Sequence, residues 1–540
     1  MDKLISINPD GIEFPIPKES DYDTEFTRIE KLVSGAQKSG QEIVVVMGIG
    51  FVGSVMAAIV ADTVDKNSNP SKFVIGLDLP TKESYWKISM INNGQSPVKA
   101  DDTLVSQMIN QCVLKKKTLT ATYNQRVIQF ADVVIIDVQC DYIKPELGNV
   151  KSGKVEMKAL EDSFKTIGEQ IKPETLVLIE TTVPPGTTEH IAYPIIKKIF
   201  LSRGFVQEPL LAHSFERVMP GKNYVASVRD FWRVCSGINN QSRDRVTSFL
   251  NEVLNTTDFP LTVLDKPIES ETAKIVENSY RATILAFMDE WSLFAERNGV
   301  DILKVIDAVK VRPTHSNIVF PGPGIGGYCL PKDGGLGYWA YKHILGFEDD
   351  IFKITTAAID INDTRALHAA ELVRDALKEM NTSIAAANIL VLGASYREGV
   401  GDTRYSGSEV LIRKLVEMGA EIHVHDPYVD TWKEFAIQDS FPIVSKKQFF
   451  RNQDNLTNLI VEKDLFNAIK EKHAIVFAVK HSEYLDINPD KIMELSGQPI
   501  AVIDCFGFLN DKTIEHYLKL GCTVKGLGRG HINRMEKNIH

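Results

Sequence analysis

The sequence predicts an α/β protein: two doubly wound, parallel-sheet domains joined by a long central helix. Three observations carry this. From Glu42 onward, short β-branched runs alternate with longer amphipathic stretches; a segment from Glu269 to about Asn298 runs without Gly or Pro; and a second αβ series begins at Asn388. Strands that read as unbroken apolar runs are those buried on both faces, the situation of a parallel sheet covered by helices on each side. At roughly 150 residues per domain, 540 residues make three to four such units.

Taken in chain order, residues 1–38 carry 5 basic and 8 acidic groups with little apolar periodicity, and read as an ancillary extension or a docked arm. The runs IVVVMG, FVIGLD, VVIIDV and LVLIETTV supply the strands of a first sheet within residues 39–265. Residues 266–384 hold the long helix, a Gly- and Pro-rich loop at 321–337 and further helix. In residues 385–540 the strands are NILVLGASY, AEIHVHDP, AIVFAV, PIAVIDCFG and TVKGLG. Residues 430–472 are polar and weakly periodic and are expected to form a surface insertion. The two halves share architecture only.

A composition of 44% hydrophobic and 24% charged residues excludes wholesale disorder and fibrous structure. The net charge of −10 offers no excess positive field for a nucleic-acid backbone. Only Ile43 to Ala61 resembles a membrane span, and Gly48, Gly50, Gly53 and Ser54 break it in the spacing of a loop motif, so no membrane partner is expected. Six cysteines form neither CxxC pairs nor zinc spacing, and the first residues lack an export pattern. A reducing, cytoplasmic setting is expected.

Gly48-Ile49-Gly50-Phe51-Val52-Gly53 follows the strand IVVVM directly and opens a helix. Glycines at this spacing permit a tight turn, close approach of backbone to a pyrophosphate, and packing of helix on strand; the helix N-terminus offers N–H groups to the anion. The next strand ends in Asp78, 25 residues after Gly53, where a carboxylate accepts hydrogen bonds from the adenosine ribose and repels an added phosphate. NAD is therefore the expected cofactor.

The loop Pro321-Gly322-Pro323-Gly324-Ile325-Gly326-Gly327-Tyr328-Cys329-Leu330-Pro331-Lys332-Asp333 is the most informative segment. Its glycines imply close approach to a ligand or positive φ. Pro331 is placed to start a helix at its first turn, which sets Cys329 near a positive helix end that favours thiolate. A lone cysteine is more often a small buried apolar group, but no other cysteine here sits in such a loop. On the long helix, Glu271, Lys274, Asn278 and Arg281 fall within an arc of about 80°. Such a stripe is usually a solvated face. Ile275, Tyr280, Ile284 and Phe287 opposite it are expected to anchor the helix, leaving a buried Lys and Asn to stabilise an oxyanion.

These residues resemble the UDP-glucose/GDP-mannose (nucleotide-sugar) 6-dehydrogenase family from about residue 42 to 531. GIGFVG, INNGQSP (91–97), ETTVPPGTT (180–188), ETAKIVEN (271–278), PGPGIGGYCLPKD, GDTRYSGS (401–408) and VHDPYV (424–429) recur in the family's order. The resemblance implies two Rossmann-like domains: residues 39–265 bind NAD, 266–384 form a central helical dimerisation domain with the nucleophile loop, and 385–540 bind a UDP-sugar. It implies a four-electron oxidation of a sugar C6 alcohol with two NAD+, through a thiohemiacetal and then a thioester on Cys329. Lys274 and Asn278 would stabilise oxyanions, Asp333 with water would handle protons, and Thr182 and Glu216 would orient or activate the hydrolytic water. Arg281, Gly326, Gly327 and Arg404 join Lys274 and Asn278 as expected substrate contacts; Arg312 is expected at the substrate phosphates or a neighbouring subunit.

Three positions depart from the family pattern. Pro220 stands where UDP-glucose enzymes carry a second glutamate, Glu180 where many carry lysine or serine-flanking residues, and Gln139-Cys140-Asp141 replaces a threonine-proline after the fourth strand. ERVMPG (216–221), ENSYR (277–281) and PGPGIGGYC are closer to the UDP-N-acetylhexosamine branch, including UDP-N-acetylmannosamine dehydrogenases, whereas CLPKD resembles the UDP-glucose branch; the balance favours the former. The competing readings are a two-electron β-hydroxyacid dehydrogenase, which needs no cysteine, and a noncatalytic nucleotide-sugar sensor. An apolar face on the long helix, together with family analogy, predicts a homodimer or larger assembly.

Overall fold

The computed structural model describes residues 4–98, 100, 102–219, 221–436 and 449–539. The chain divides into two units, one of Met1–Asp141, Glu156–Ile275 and Ala340–Phe347, the other of Tyr142–Val155, Val276–Trp339 and Glu348–His540. Pro220 and residues 437–448 of the expected insertion lie outside the described residues.

The first unit is built on an eight-stranded sheet, in the order Thr262–Leu264, Val234–Gly237, Leu210–His213, Leu176–Ile179, Val133–Ile136, Glu42–Met47, Lys72–Leu77 and Leu119–Thr122. All neighbours are parallel except Val234–Gly237 against Leu210–His213. Val45 pairs with Ile75 on one side and Val134 on the other, so the apolar runs are buried on both faces. The chain enters at Glu42–Met47, builds outward through Lys72–Leu77 to the Leu119–Thr122 edge, then returns to Val133–Ile136 on the other flank. That reversal opens a crevice at the carboxyl ends of Glu42–Met47 and Val133–Ile136.

The N-terminal extension is a docked arm in this unit. A hairpin, Ile5–Ile7 with Glu13–Pro15, precedes a 17-residue helix, Tyr22–Lys38, that buries Ile29, Val33 and Ala36. Glu25 accepts a hydrogen bond from the Thr122 hydroxyl and Arg28 donates to Ala121 O, so the arm binds the otherwise unpaired edge strand.

The second unit carries a six-stranded, wholly parallel sheet in the order Val461–Glu462, Glu421–His425, Asn388–Leu392, Ala474–Phe477, Ala501–Asp504 and Thr523–Gly526. Helix Ile354–Glu379 presents Ala366, Ala369, Ala370, Val373 and Ala376 to this core; small side chains let a helix lie close on a sheet. The expectation of a surface insertion at 430–472 is corrected here. Trp432, Phe435, Phe450 and Leu456 are buried in the same core, and Val461–Glu462 is the sheet's edge strand. Their irregular spacing hid them from a periodicity argument.

The central helix runs Pro267–Asn298, 32 residues. Its polar stripe is only partly solvated: Glu271 and Lys274 are buried, Asn278 is half-buried and Arg281 is exposed. Tyr280 and Phe287 do not anchor it within the chain. They are 56% and 51% exposed and belong to an outward apolar stripe. No helix of the described residues is long and apolar enough to cross a membrane.

Asp426, just past the Glu421–His425 strand, holds the second sheet's carboxyl edge. It accepts hydrogen bonds from Ala394 N (2.7 Å), Ser395 N (3.0 Å), Tyr428 N (2.8 Å) and Val429 N (3.1 Å), and faces His481 Nε2 at 3.2 Å. Burial pushes its pKa up, but His481 and the backbone donors prevail and hold it at about 2. A carboxylate depressed below its unfolded value stabilises the fold above about pH 4, and that stabilisation is lost as pH falls through the folded value. Asp426→Asn is expected to lower the unfolding free energy by about 2 kcal/mol at pH 7, with the deficit shrinking below pH 4. Urea unfolding of both proteins across pH 3–7 measures it.

Candidate active site

In the first unit the glycine loop has the geometry a pyrophosphate needs. Gly48 has φ +91°, and a Cβ there would lie 2.6 Å from Asp137 O; a Cβ on Gly53 would lie 1.9 Å from Gly48 O. Both positions exclude a side chain. Gly50 differs: nothing lies within 4 Å of where its Cβ would be, and no side chain caps the helix Phe51–Asp62 that starts beside it. The open space meets an uncapped helix N-terminus, a cradle suited to a dinucleotide phosphate. Val52 follows Phe51 in the first turn of that helix. Asp78 lies at the end of Lys72–Leu77, accepts from Leu79 N at 2.8 Å and faces Lys87 Nζ at 3.4 Å.

Behind the loop is an acidic cluster of which sequence reading identified only part. Asp137 follows Val133–Ile136, and its carboxyl oxygens are buried. Burial, then the charge of Glu180, pushes its pKa well above the usual carboxylate range. Glu180 is itself buried and ion-paired with buried Arg233. Glu216, also buried, caps Val218 N. Lys274 Nζ donates to Glu216 O at 2.7 Å and lies 3.8 Å from Glu216 Oε1, so these two predicted residues do meet. Thr182 is buried at the carboxyl end of the Leu176–Ile179 segment.

Glu271, the first member of the stripe, takes a structural role. It accepts from Gly186 N (2.6 Å), Thr188 N (2.9 Å) and Thr188 Oγ1 (2.6 Å), tying the PPGTT loop to the helix, while burial pushes its pKa to about 7. His213, which the sequence did not single out, is fully buried against Ser270 Oγ at 2.7 Å; burial lowers its pKa to about 3. It stays neutral and is no acid–base group near pH 7.

In the second unit, Cys329 is half-buried, whereas the other five cysteines are buried. Burial raises the thiol pKa of Cys235 and Cys522, and that of Cys112 to about 12, which keeps them protonated and inert. The helix begins at Asp333 and not at Pro331. Residues 329–333 instead close a turn in which Cys329 O accepts from Lys332 N (3.1 Å) and Asp333 N (3.0 Å), so Cys329 still precedes the helix. Asp333 is fully buried, with Lys332 Nζ 2.9 Å from Oδ1 and Asn278 Nδ2 donating to Oδ2 at 2.6 Å. Lys332, quoted in the motif without a role, is thus the buried counter-charge of Asp333.

Gly326 cannot carry a side chain, because a Cβ would lie 2.3 Å from Tyr396 Cβ; Gly327 has φ +85° and donates to Arg404 O at 2.9 Å. Arg404 folds back on Asp402 through two donors (2.7–3.1 Å) and lies over the Tyr328 ring. Arg281 and Arg312 are exposed. The second unit therefore brings Cys329, Asn278, Asp333, Gly326, Gly327 and Arg404 into one neighbourhood, and leaves those two arginines on its surface.

Three family models match in order: the UDP-glucose/GDP-mannose dehydrogenase family's NAD binding domain over residues 42–254, its central domain over 268–364 and its UDP binding domain over 390–511. The chain is 28% identical to a UDP-N-acetyl-D-mannosamine dehydrogenase of Methanococcus maripaludis, covering 81% of this chain and 92% of the relative. It is 25% identical to the enzyme of that name from Pyrococcus horikoshii, covering 91% and 100%. Among solved structures, an NDP-N-acetyl-D-galactosaminuronic acid dehydrogenase from Methanosarcina mazei matches with TM-score 0.73 and 25% identity, covering 94% of this chain and 98% of that one. With three domains matched in order over most of its length, the chain belongs to the UDP-glucose/GDP-mannose dehydrogenase family and is an NAD-dependent oxidoreductase.

Proposed function

We propose that the protein oxidises the C6 hydroxyl of a UDP-N-acetylhexosamine to the uronate, a four-electron change that consumes two NAD+ per sugar. Cys329 carries the reading: among six cysteines it alone is not buried, and it lies in a glycine-rich loop beside an aspartate clamped by Lys332 and Asn278. An enzyme that stopped at the aldehyde would have no use for a nucleophilic sulfur. The N-acetyl preference rests on ERVMPG and ENSYR and on relatives named as UDP-N-acetyl-D-mannosamine dehydrogenases.

When bound, NAD+ supplies the acceptor for the hydride that each oxidation removes. Gly48, Gly50, Phe51, Val52 and Gly53 would hold its pyrophosphate and Asp78 its adenosine ribose. The remaining work falls to side chains of this chain. Asp333, through water, takes the C6 hydroxyl proton. The Cys329 sulfur adds to the aldehyde carbon; a C–S bond forms as the carbonyl opens to an oxyanion, which the Lys274 ammonium and Asn278 amide stabilise. Loss of the second hydride from that carbon lets the oxyanion collapse back to a carbonyl, leaving a thioester. Glu216 and Thr182 orient and activate the attacking water; the C–S bond then breaks, sulfur leaves as thiolate and the uronate departs. Gly326, Gly327 and Arg404 contact the nucleotide-sugar, with Arg281 and Arg312 more peripheral. A reducing cytoplasm suits a working thiol.

The same reading includes a homodimer. Val276, Tyr280, Phe287, Trp291 and Phe294 form an exposed apolar stripe on the central helix, with edge-to-face aromatic contacts at 6.3 Å (Phe287–Trp291) and 5.4 Å (Trp291–Phe294). Contiguous aromatic surface of this kind marks an interface.

Purified protein given UDP-N-acetylmannosamine should release two NADH per sugar consumed; one would sink the four-electron reading in favour of simple alcohol oxidation, and none would favour a sensor. Parallel assays with UDP-glucose test the substrate branch. Cys329→Ala should abolish uronate release while leaving UDP-sugar binding intact, and Asp333→Asn should slow turnover roughly 100-fold or more. In sedimentation equilibrium the wild type should run as a dimer and Trp291→Glu as a smaller species; a monomeric wild type removes the dimer from the proposal.

A further inference from the structure

The N-terminal arm lies outside the matched family domains, which begin at residue 42, and the reaction proposed above gives it no task. Its hairpin is not merely laid on the surface. Ser6, fully buried, donates its hydroxyl to Lys82 O at 2.7 Å and accepts from Trp86 N at 3.1 Å. Those two residues bracket the start of the helix Tyr85–Asn92, whose own N-cap residue, Ser84, makes no side-chain cap; its hydroxyl is turned to Leu79 O. A helix start leaves orphan N–H groups, and here the second one is satisfied by a serine some 80 positions earlier in the chain. Asn8 shapes the hairpin turn by accepting from Asp10 N and Ile12 N, and reaches Met90 of the same helix through Nδ2.

What Ser6 fixes is the segment that leaves Asp78. The strand ends at Leu77, Asp78 accepts from Leu79 N, and the first turn of the capped helix carries Lys87, whose ammonium is 3.4 Å from Asp78 Oδ2. On the other flank, Asp78 N donates to Thr122 O, and the Thr122 hydroxyl donates to Glu25 of the arm's helix. Both sides of Asp78 are therefore braced by residues of the extension.

We infer that the extension is a built-in part of the cofactor site, with Ser6 as a positioning residue that sets the loop 79–86 and the Asp78–Lys87 pair against the adenosine end of NAD. The inference rests on the reading that Asp78 meets the adenosine ribose, and the experiment separates the two. ADP-ribose, the cofactor without its nicotinamide, is titrated calorimetrically into the whole wild-type chain, Ser6→Ala and Asp78→Ala, with UDP as the control ligand. Ser6→Ala should weaken ADP-ribose about fivefold, the scale of one net hydrogen bond, and leave UDP unchanged. The KM for NAD+ should rise with kcat unmoved. Equal weakening of both ligands, or a lower melting temperature with neither changed, would make Ser6 a structural residue and overturn the inference. If Asp78→Ala weakens ADP-ribose and Ser6→Ala does not, the inference fails alone; if Asp78→Ala has no effect, the reading beneath it fails. A measurement on wild type does not depend on any variant folding: ADP-ribose should slow amide hydrogen exchange in the hairpin, because coupling between two sites is reciprocal. Unchanged hairpin exchange would overturn it as well.

Discussion

Both sheets are parallel at their centres, so neighbouring strands end on the same side and the chain must turn there under helices that cover both faces. Backbone donors left by the strands must then be met at one edge, and both sheets place acidic residues there. In the second sheet they are saturated. Asp426 takes four backbone N–H groups and faces His481; Asp504 takes Phe506 N, Phe508 N and Leu509 N together with Arg529. In the first sheet they are not. Asp78 accepts one backbone N–H and faces Lys87, and buried Asp137 and Glu180 are pressed together acid against acid. The same architecture thus yields a closed edge in one unit and a chemically open one in the other, where the glycine loop also leaves space at Gly50. Buried carboxyl groups in mutual contact are costly, and their concentration at this strand edge agrees with a site that binds there.

Asp137, Glu180 and Glu216 share that crevice with few compensating cations, Arg233 and Lys274. Three buried carboxylates cannot all ionise cheaply. Burial raises the pKa of both Asp137 and Glu180; Arg233 pairs with Glu180 and offsets part of its rise, while the charge of Glu180 adds to that of Asp137. Asp137 lies directly beneath Gly48 and Gly53, so the raised carboxyl forms the floor of the glycine loop.

The parts of the candidate site written contiguously stand out in the sequence: the glycine loop, the Cys329 loop and the strand-end Asp78 each announce themselves within a dozen residues. The pairings do not. Glu180 and Arg233 lie 53 residues apart, and only the register of the first sheet brings them together. The sequence left the arm open between an ancillary extension and a docked arm, because its helix buries just three apolar residues and much of the docking runs through Ser6, Glu25, Arg28 and Asn124, polar contacts that leave no periodic trace. Tyr280 and Phe287 were misread for the opposite reason. An apolar helix position predicts burial without specifying whether this chain or another provides the cover.

Net charge is the feature most apt to mislead. At −10 the chain repels anions at long range, yet a member of this family has domains for NAD and for UDP, both carrying pyrophosphates. Screening resolves the conflict: at physiological ionic strength exposed charges more than about 8 Å away contribute little. The uncapped helix start beside Gly50 offers short-range backbone donors instead. A fixed dipole held by the fold needs no side-chain ordering when the ligand arrives, whereas a lysine would lose rotamer freedom worth about 1.5–2 kcal/mol. The acidic remainder of the surface can then serve solubility without competing with binding.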